Sequence, residues 1–145
     1  MTFLLDTNAI SEIARPRPDP SYLQWFLGVG DPGDPLDDRL HVSVLTIGEL
    51  ERGVLRLAPG RRRDGLNASV ELLIADYGRR ILPIDLPVAR AWSSVAEKNR
   101  QSGRIVGAVD ELIAATAIAN DLVLVTRNVS HFDKSGCKLL CPWSS

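Results

Sequence analysis

The sequence predicts an α/β domain in which helices cover both faces of a central, mainly parallel sheet. Short uninterrupted apolar runs, Phe3-Leu4-Leu5, Ile81 to Ile84 and Leu122 to Val125, alternate along the chain with segments whose apolar residues recur at helical spacing. The run Leu122-Val123-Leu124-Val125 also lacks any polar alternation, which is expected of a parallel strand buried on both faces.

Phe3-Leu4-Leu5 stops at Asp6-Thr7-Asn8, residue types that prefer helix caps to strand interiors, so a strand should feed a helix there. Pro16 and Pro18 end that helix near Arg15. A second amphipathic segment carries Tyr22, Leu23, Trp25, Phe26 and Leu27, and residues 28 to 39, rich in Gly, Pro and Asp, should be a surface loop. His41 to Leu45 alternates as a strand does, and Thr46-Ile47-Gly48-Glu49 has the form of a capping box opening a helix through Leu57. After Pro59-Gly60, Leu66, Val70, Leu73, Ile74 and Tyr77 mark a helix that ends at Gly78. Ile81 to Ile84 is the next strand, Pro87 opens a helix through Val95, and a small-residue helix follows Gly107. Asn120-Asp121 turns the chain into Leu122 to Val125.

The 145 residues, 45% hydrophobic, suffice for one core, so a single domain over residues 1–145 is expected. No apolar run reaches the roughly 20 residues of a membrane span, and the start lacks a signal-peptide pattern, so a cytoplasmic protein is expected. Cys137 and Cys141 are too few for a disulfide framework and lack zinc-site spacing. A net charge of −1 excludes nucleic-acid binding through the overall field, so any such ligand must be held locally. The arginines available for that, among them the Arg61-Arg62-Arg63 run, read for the most part as solvated surface.

In parallel sheets, sites lie beyond the carboxyl ends of the strands. The polar residues placed there are Asp6, Asn8, Thr46, Glu49, Thr126, Arg127 and Asn128, and Asp110 opens the helix that leads to Thr126. Asp6, Glu49 and Asp110 can converge on one crevice. Carboxylates about 4 Å apart repel by about 4 kcal/mol at an effective dielectric of about 20, so they must share protons or surround a cation. Oxygen ligands without His or Cys favour Mg²⁺ or Mn²⁺ over zinc. Each acid also has a local explanation, Asp6 and Asp110 as N-caps and Glu49 as the partner of Thr46 in the capping box.

FLLDTNAISE at 3–12, SVLTIGELERGV at 43–54, RILPID at 80–85, VDELIAATAIANDLVLVTRNVSHF at 109–132 and the closing Pro142-Trp143 together resemble the PIN-domain nucleases, in particular the VapC and FitB-like toxins. The resemblance implies a three-layer α/β/α domain, a divalent-metal site and RNA cleavage. It puts the family's acids on Asp6, Glu49 and Asp110, and the polar lining of its site on Thr7, Asn8, Thr126 and Arg127. A fourth acid of the family falls on Asn128 or His131, neither of which brings negative charge. Asn128 is then expected to position water or a second ion, and His131 to be a surface residue.

The reading that follows is an endoribonuclease toxin using Mg²⁺, with Mn²⁺ as a substitute, held by Asp6, Glu49 and Asp110. Its partners would be RNA, a VapB-like antitoxin and a second copy in a homodimer, with DNA met only through the antitoxin and no membrane contact. The aromatic stretch Tyr22, Trp25, Phe26 and Leu27 resembles the docking groove for the antitoxin, although it reads as well as core. An alternative is a weakly active binding subunit of an antitoxin–DNA complex, favoured by Asn128. A phosphatase or phospho-receiver fits poorly, since no well-placed lysine follows a late strand.

Overall fold

A computed structural model describes residues 1–29 and 38–144. The chain forms a five-stranded, wholly parallel sheet with helices on both faces, a three-layer α/β/α arrangement. In chain order the elements are β1 (Phe3–Leu5), α1 (Thr7–Glu12), α2 (Pro20–Val29), β2 (Leu40–Ser43), α3 (Val44–Leu55), α4 (Arg61–Tyr77), β3 (Ile81–Leu82), α5 (Leu86–Gln101), α6 (Ala108–Ala119), β4 (Val123–Val125), α7 (Val129–Phe132) and β5 (Leu139–Leu140).

The strand order is β3-β2-β1-β4-β5. Phe3 lies opposite Leu40 on one side and Val123 on the other, and Leu5 opposite Val125. The direction of winding reverses between β1 and β4, so the crevice beyond their carboxyl ends is the topological switch point where such sheets place their sites.

The alternation of side chains along β1 divides the core. Leu4 packs with Leu124 against α5 and α6 through Val88, Val95, Ile113 and the alanines 114, 115 and 117. Phe3 and Leu5 face the other way, onto Ile10, Tyr22, Val42 and Trp143. The alanines of α6 let that helix lie close to the sheet. Tyr22, fully buried, donates its hydroxyl to the Ala9 carbonyl oxygen at 2.6 Å. It is therefore core and does not line a groove, and Leu27, 58% exposed, stands on the outer side of α2.

Several boundaries differ from those expected. β2 ends at Ser43, not Leu45, because the Ser43 hydroxyl accepts from the Leu45 amide at 3.1 Å and caps α3. Thr46 consequently sits inside the first turn, fully buried, and the expected capping box with Glu49 does not form. α3 ends at Leu55 rather than Leu57, and β3 stops at Leu82 because Pro83 has no amide hydrogen for the ladder. Gly107, not Asp110, is the N-cap of α6. α2 runs through Val29, and residues 30–37 of the expected loop lie outside the described residues. α7 and β5 are additional, each too short to show periodicity. Among the described residues no helix is long and apolar enough to cross a membrane.

Candidate functional site

Asp6 follows β1 directly, and its amide donates to the Val125 carbonyl oxygen at 3.1 Å, which binds the ends of the two central strands together. Its carboxylate caps α1, accepting from the Ala9 amide at 2.8 Å, and it also accepts from the Thr126 hydroxyl. The residue is only 7% exposed. Burial holds its carboxyl above the usual aspartate range, opposed by the two hydrogen bonds and reinforced by the negative charges of Asp110 and Glu49. That mutual repulsion ties the three acids, which come from three different elements, to one crevice.

Glu49 stands in the second turn of α3, and its Oε1 accepts from the Thr7 hydroxyl at 2.5 Å. The Thr7 oxygen also lies 3.3 Å from that of buried Thr46. Thr7 therefore joins α1 to α3 and fixes where the Glu49 carboxylate points. Asp110 lies in the first turn of α6, close to α7, with its Oδ2 3.9 Å from His131 Nδ1.

Thr126 is fully buried just past β4, and besides bonding Asp6 its hydroxyl accepts from the Asn128 amide at 3.0 Å. Asn128 begins α7 with an exposed side chain that caps nothing. Asn8 and Arg127 are exposed as well, and among the described residues neither makes an ion pair or hydrogen bond to the acids. The structure thus brings together Asp6, Thr7, Glu49, Asp110 and Thr126, and leaves Asn8, Arg127 and Asn128 at the rim. Asp133, in the loop after α7, pairs with Arg104 at 2.8 Å.

Two contributors were not evident from sequence. Arg104, in the loop before α6, donates to the Ser130 carbonyl oxygen as well as pairing with Asp133, and so ties that loop to α7. Asn99, 3% exposed on α5, donates to Glu111 Oε2 at 2.9 Å and steadies the first turn of α6 beside Asp110. Both partnerships cross between elements, where local pattern carries no signal.

The donor set of the crevice is carboxylate and hydroxyl oxygen, the chemistry of a hard divalent cation. As the side chains stand, no three His, Cys, Asp or Glu among the described residues are close enough to share one ion. Mg²⁺ keeps several of its waters and commonly binds through one or two carboxylates, so by donor chemistry Asp6 with one neighbour would be enough to hold such an ion.

The PIN domain family model matches residues 3–135. The chain is 31% identical to a VapC ribonuclease of Sinorhizobium fredii, over 97% of this chain and 96% of that one. It is 33% identical to the Toxin FitB of Neisseria gonorrhoeae, over 97% of each. A solved structure of FitAB bound to a DNA fragment superposes with a TM-score of 0.85 at 30% identity, covering 99% of this chain and 97% of that one. By the extent of the family match and the full-length relatives, the chain belongs to the PIN-domain family.

Proposed function

We propose that the chain is a divalent-metal-dependent endoribonuclease that acts as the toxin of a toxin–antitoxin pair. The observation that carries the reading is the buried Asp6 carboxyl at the switch point, made costly to ionise by burial and by Asp110 and Glu49. In this reading the cluster of like charge costs the metal-free fold stability, and a cation offsets it. The relatives called ribonuclease and toxin support the same activity class.

In this reading Asp6, Glu49 and Asp110 hold Mg²⁺ or Mn²⁺. When bound, the ion lowers the pKa of water and offsets charge developing on the phosphate. Thr126 fixes the Asp6 carboxylate, and Thr7 fixes that of Glu49. Asn128 and Asn8 stand at the rim, where their amides can meet the RNA backbone, and exposed Arg127 can pair with phosphate.

An apolar groove of about 550 Å³ runs between α1, α2, α3 and α4, lined by Ile10, Ile13, Phe26, Leu50, Leu73 and Tyr77. We assign it to the apolar face of an antitoxin helix, in keeping with the complex formed by the FitAB relative. DNA would then be met through that antitoxin. A homodimer is part of the same proposal, and sedimentation at micromolar concentration tests it.

The test is induced expression in bacteria of the wild type beside Asp6→Asn, with and without co-expression of an antitoxin. Growth arrest that needs Asp6 and is relieved by the antitoxin is expected. A second reading, a binding subunit with little activity, is favoured by the neutral Asn128 and by the acids not gathering three to one ion among the described residues. Arrest by Asp6→Asn as strong as by wild type, or none by either, would support it.

A further inference from the structure

α3 presents Glu49 at the crevice and continues beyond it to Leu55, with Arg56 as its C-cap. At 3.6 residues per turn, Glu49, Arg52 and Arg56 fall within about 60° of one another around the helix. All three are exposed, while Ile47, Leu50 and Val54 turn the opposite way, toward the rest of the domain. The fold does not account for this row. Arg52 stands three residues after Glu49, the spacing of a helical ion pair, but Glu49 Oε1 is taken by the Thr7 hydroxyl at 2.5 Å. Among the described residues the side chains of Arg52 and Arg56 make no ion pair or hydrogen bond. The two lie four residues apart, where like charges on a helix repel. From Arg52 to Arg63 the chain has five arginines and no acid, although its net charge is −1. Arg63 is set apart from the row, since with Glu51 and Asp64 it lines a cavity of about 310 Å³ between α3 and α4.

We propose that Arg52 and Arg56 form a phosphate track that holds the RNA backbone on one side of the scissile bond, where the strand leaves the crevice along α3. The inference rests on the endoribonuclease reading above and adds to it the path of the substrate. Along the helix axis the two arginines stand about 4.5 and about 10.5 Å beyond Glu49, at about 1.5 Å per residue. At about 3.4 Å per nucleotide in a stacked strand, these are roughly the first and third phosphates past the cut. Guanidinium pairs with phosphate through two parallel hydrogen bonds, and backbone contacts carry no base preference. The track therefore sets register and leaves sequence to other contacts. An anionic strand is the ligand that the row complements, since it offsets two cations that repel each other and is drawn toward a crevice whose own charge is negative. Leu50, on the other side of α3, lines the apolar groove, so substitutions separate this track from the antitoxin site.

The experiment is cleavage of an RNA pool at subsaturating RNA and fixed Mg²⁺, across a series of KCl concentrations. The proteins are the full chain as wild type, Arg52→Ala, Arg56→Ala, the double variant, Arg52→Lys and Arg63→Ala. Each phosphate contact on a single strand contributes about 0.7 to the slope of log affinity against log salt. For each single alanine variant kcat/KM should therefore fall about fivefold near 0.1 M salt, with the loss shrinking as salt rises. The double variant should lose about twice as much slope as either single one. Arg52→Lys, which keeps a point charge, should recover most of the slope, and Arg63→Ala should follow the wild type. Wild-type rates and slopes in Arg52→Ala and Arg56→Ala, or an equal loss in Arg63→Ala, overturn the track and leave the nuclease standing. So does unchanged cleavage by these variants combined with loss of relief by the antitoxin, since the row would then belong to that partner. Failure of the wild type to cleave RNA at all overturns both readings. Melting curves verify that each variant is folded.

Discussion

The Thr7 hydroxyl donates to Glu49 Oε1 at 2.5 Å, joining the first turn of α1 to the second turn of α3 across 42 positions of sequence. Without this bond Glu49, an exposed residue, would sample several rotamers. Thr7→Val keeps the shape and removes the donor. Stability should fall by about 1 kcal/mol, the net worth of one such bond. RNA cleavage should fall by about tenfold or more, because the lost bond orients a site carboxylate. Cleavage assays beside urea unfolding check this, and a rate that falls no further than the folded fraction would argue against a positioning role.

Trp143 Nε1 donates to Glu12 Oε1 at 2.6 Å, where Glu12 is 3% exposed. The other carboxylate oxygen, Oε2, is buried without a hydrogen bond and has Arg15 at 3.5 Å. Trp143→Phe retains an aromatic ring against Tyr22, now 4.5 Å between centroids, but leaves the carboxylate short of its donor. A loss of about 1–3 kcal/mol is expected in urea unfolding. An unchanged midpoint would mean that water replaces the indole.

His41, on β2, is held by burial below the ordinary histidine pKa, with the Arg80 charge adding to the effect. Its Nδ1 is buried and unpartnered. As pH falls through the ordinary histidine value the unfolded chain takes up a proton before the folded one does. Stability should therefore decline with acidification in that window, down to the lowered pKa of the folded state. Replacing the imidazole in His41→Leu should flatten this part of the curve. Unfolding free energies at a series of pH values test it, and parallel curves for the two proteins would contradict it.

Leu73 lies in the apolar groove, away from Asp6, Glu49 and Asp110. Leu73→Glu should abolish relief of toxicity by the antitoxin, since a helix laid in the groove would bury an unpaired charge. RNA cleavage by the purified variant should stay at the wild-type level. Full relief by the antitoxin would move its docking site elsewhere.

Much of this architecture is legible in the chain because β1 and β4 are uninterrupted apolar runs, with Asp6 directly after β1, Glu49 in the helix that follows β2 and Asp110 in the first turn of the helix that leads to β4. The start of α3 is not, because Ser43-Val44-Leu45-Thr46 offers two residues that can cap a helix. Tertiary packing decides between them by burying Thr46 against α1. α7 and β5 are too short to have a period, and the bond from Arg104 to Ser130 spans 26 positions. Pairings at such separation follow from the fold and leave no local trace. Sequence reads His131 as a surface residue, and it is 54% exposed, but its approach to Asp110 across 21 positions is a product of the fold.

The central claim is that Asp6, Glu49 and Asp110 form a metal-dependent centre for RNA hydrolysis. The most direct measurement is cleavage of an RNA pool by the purified chain in Mg²⁺ or Mn²⁺, with and without EDTA, by wild type, Asp6→Asn and Asp110→Asn. Asp6→Asn should also melt at a higher temperature than wild type in EDTA, because it removes a buried carboxyl that its neighbours repel. Cleavage that requires the ion and vanishes in both variants, together with that gain in stability, is the expected result. Undiminished cleavage by either variant, or cleavage that persists in EDTA, would contradict it.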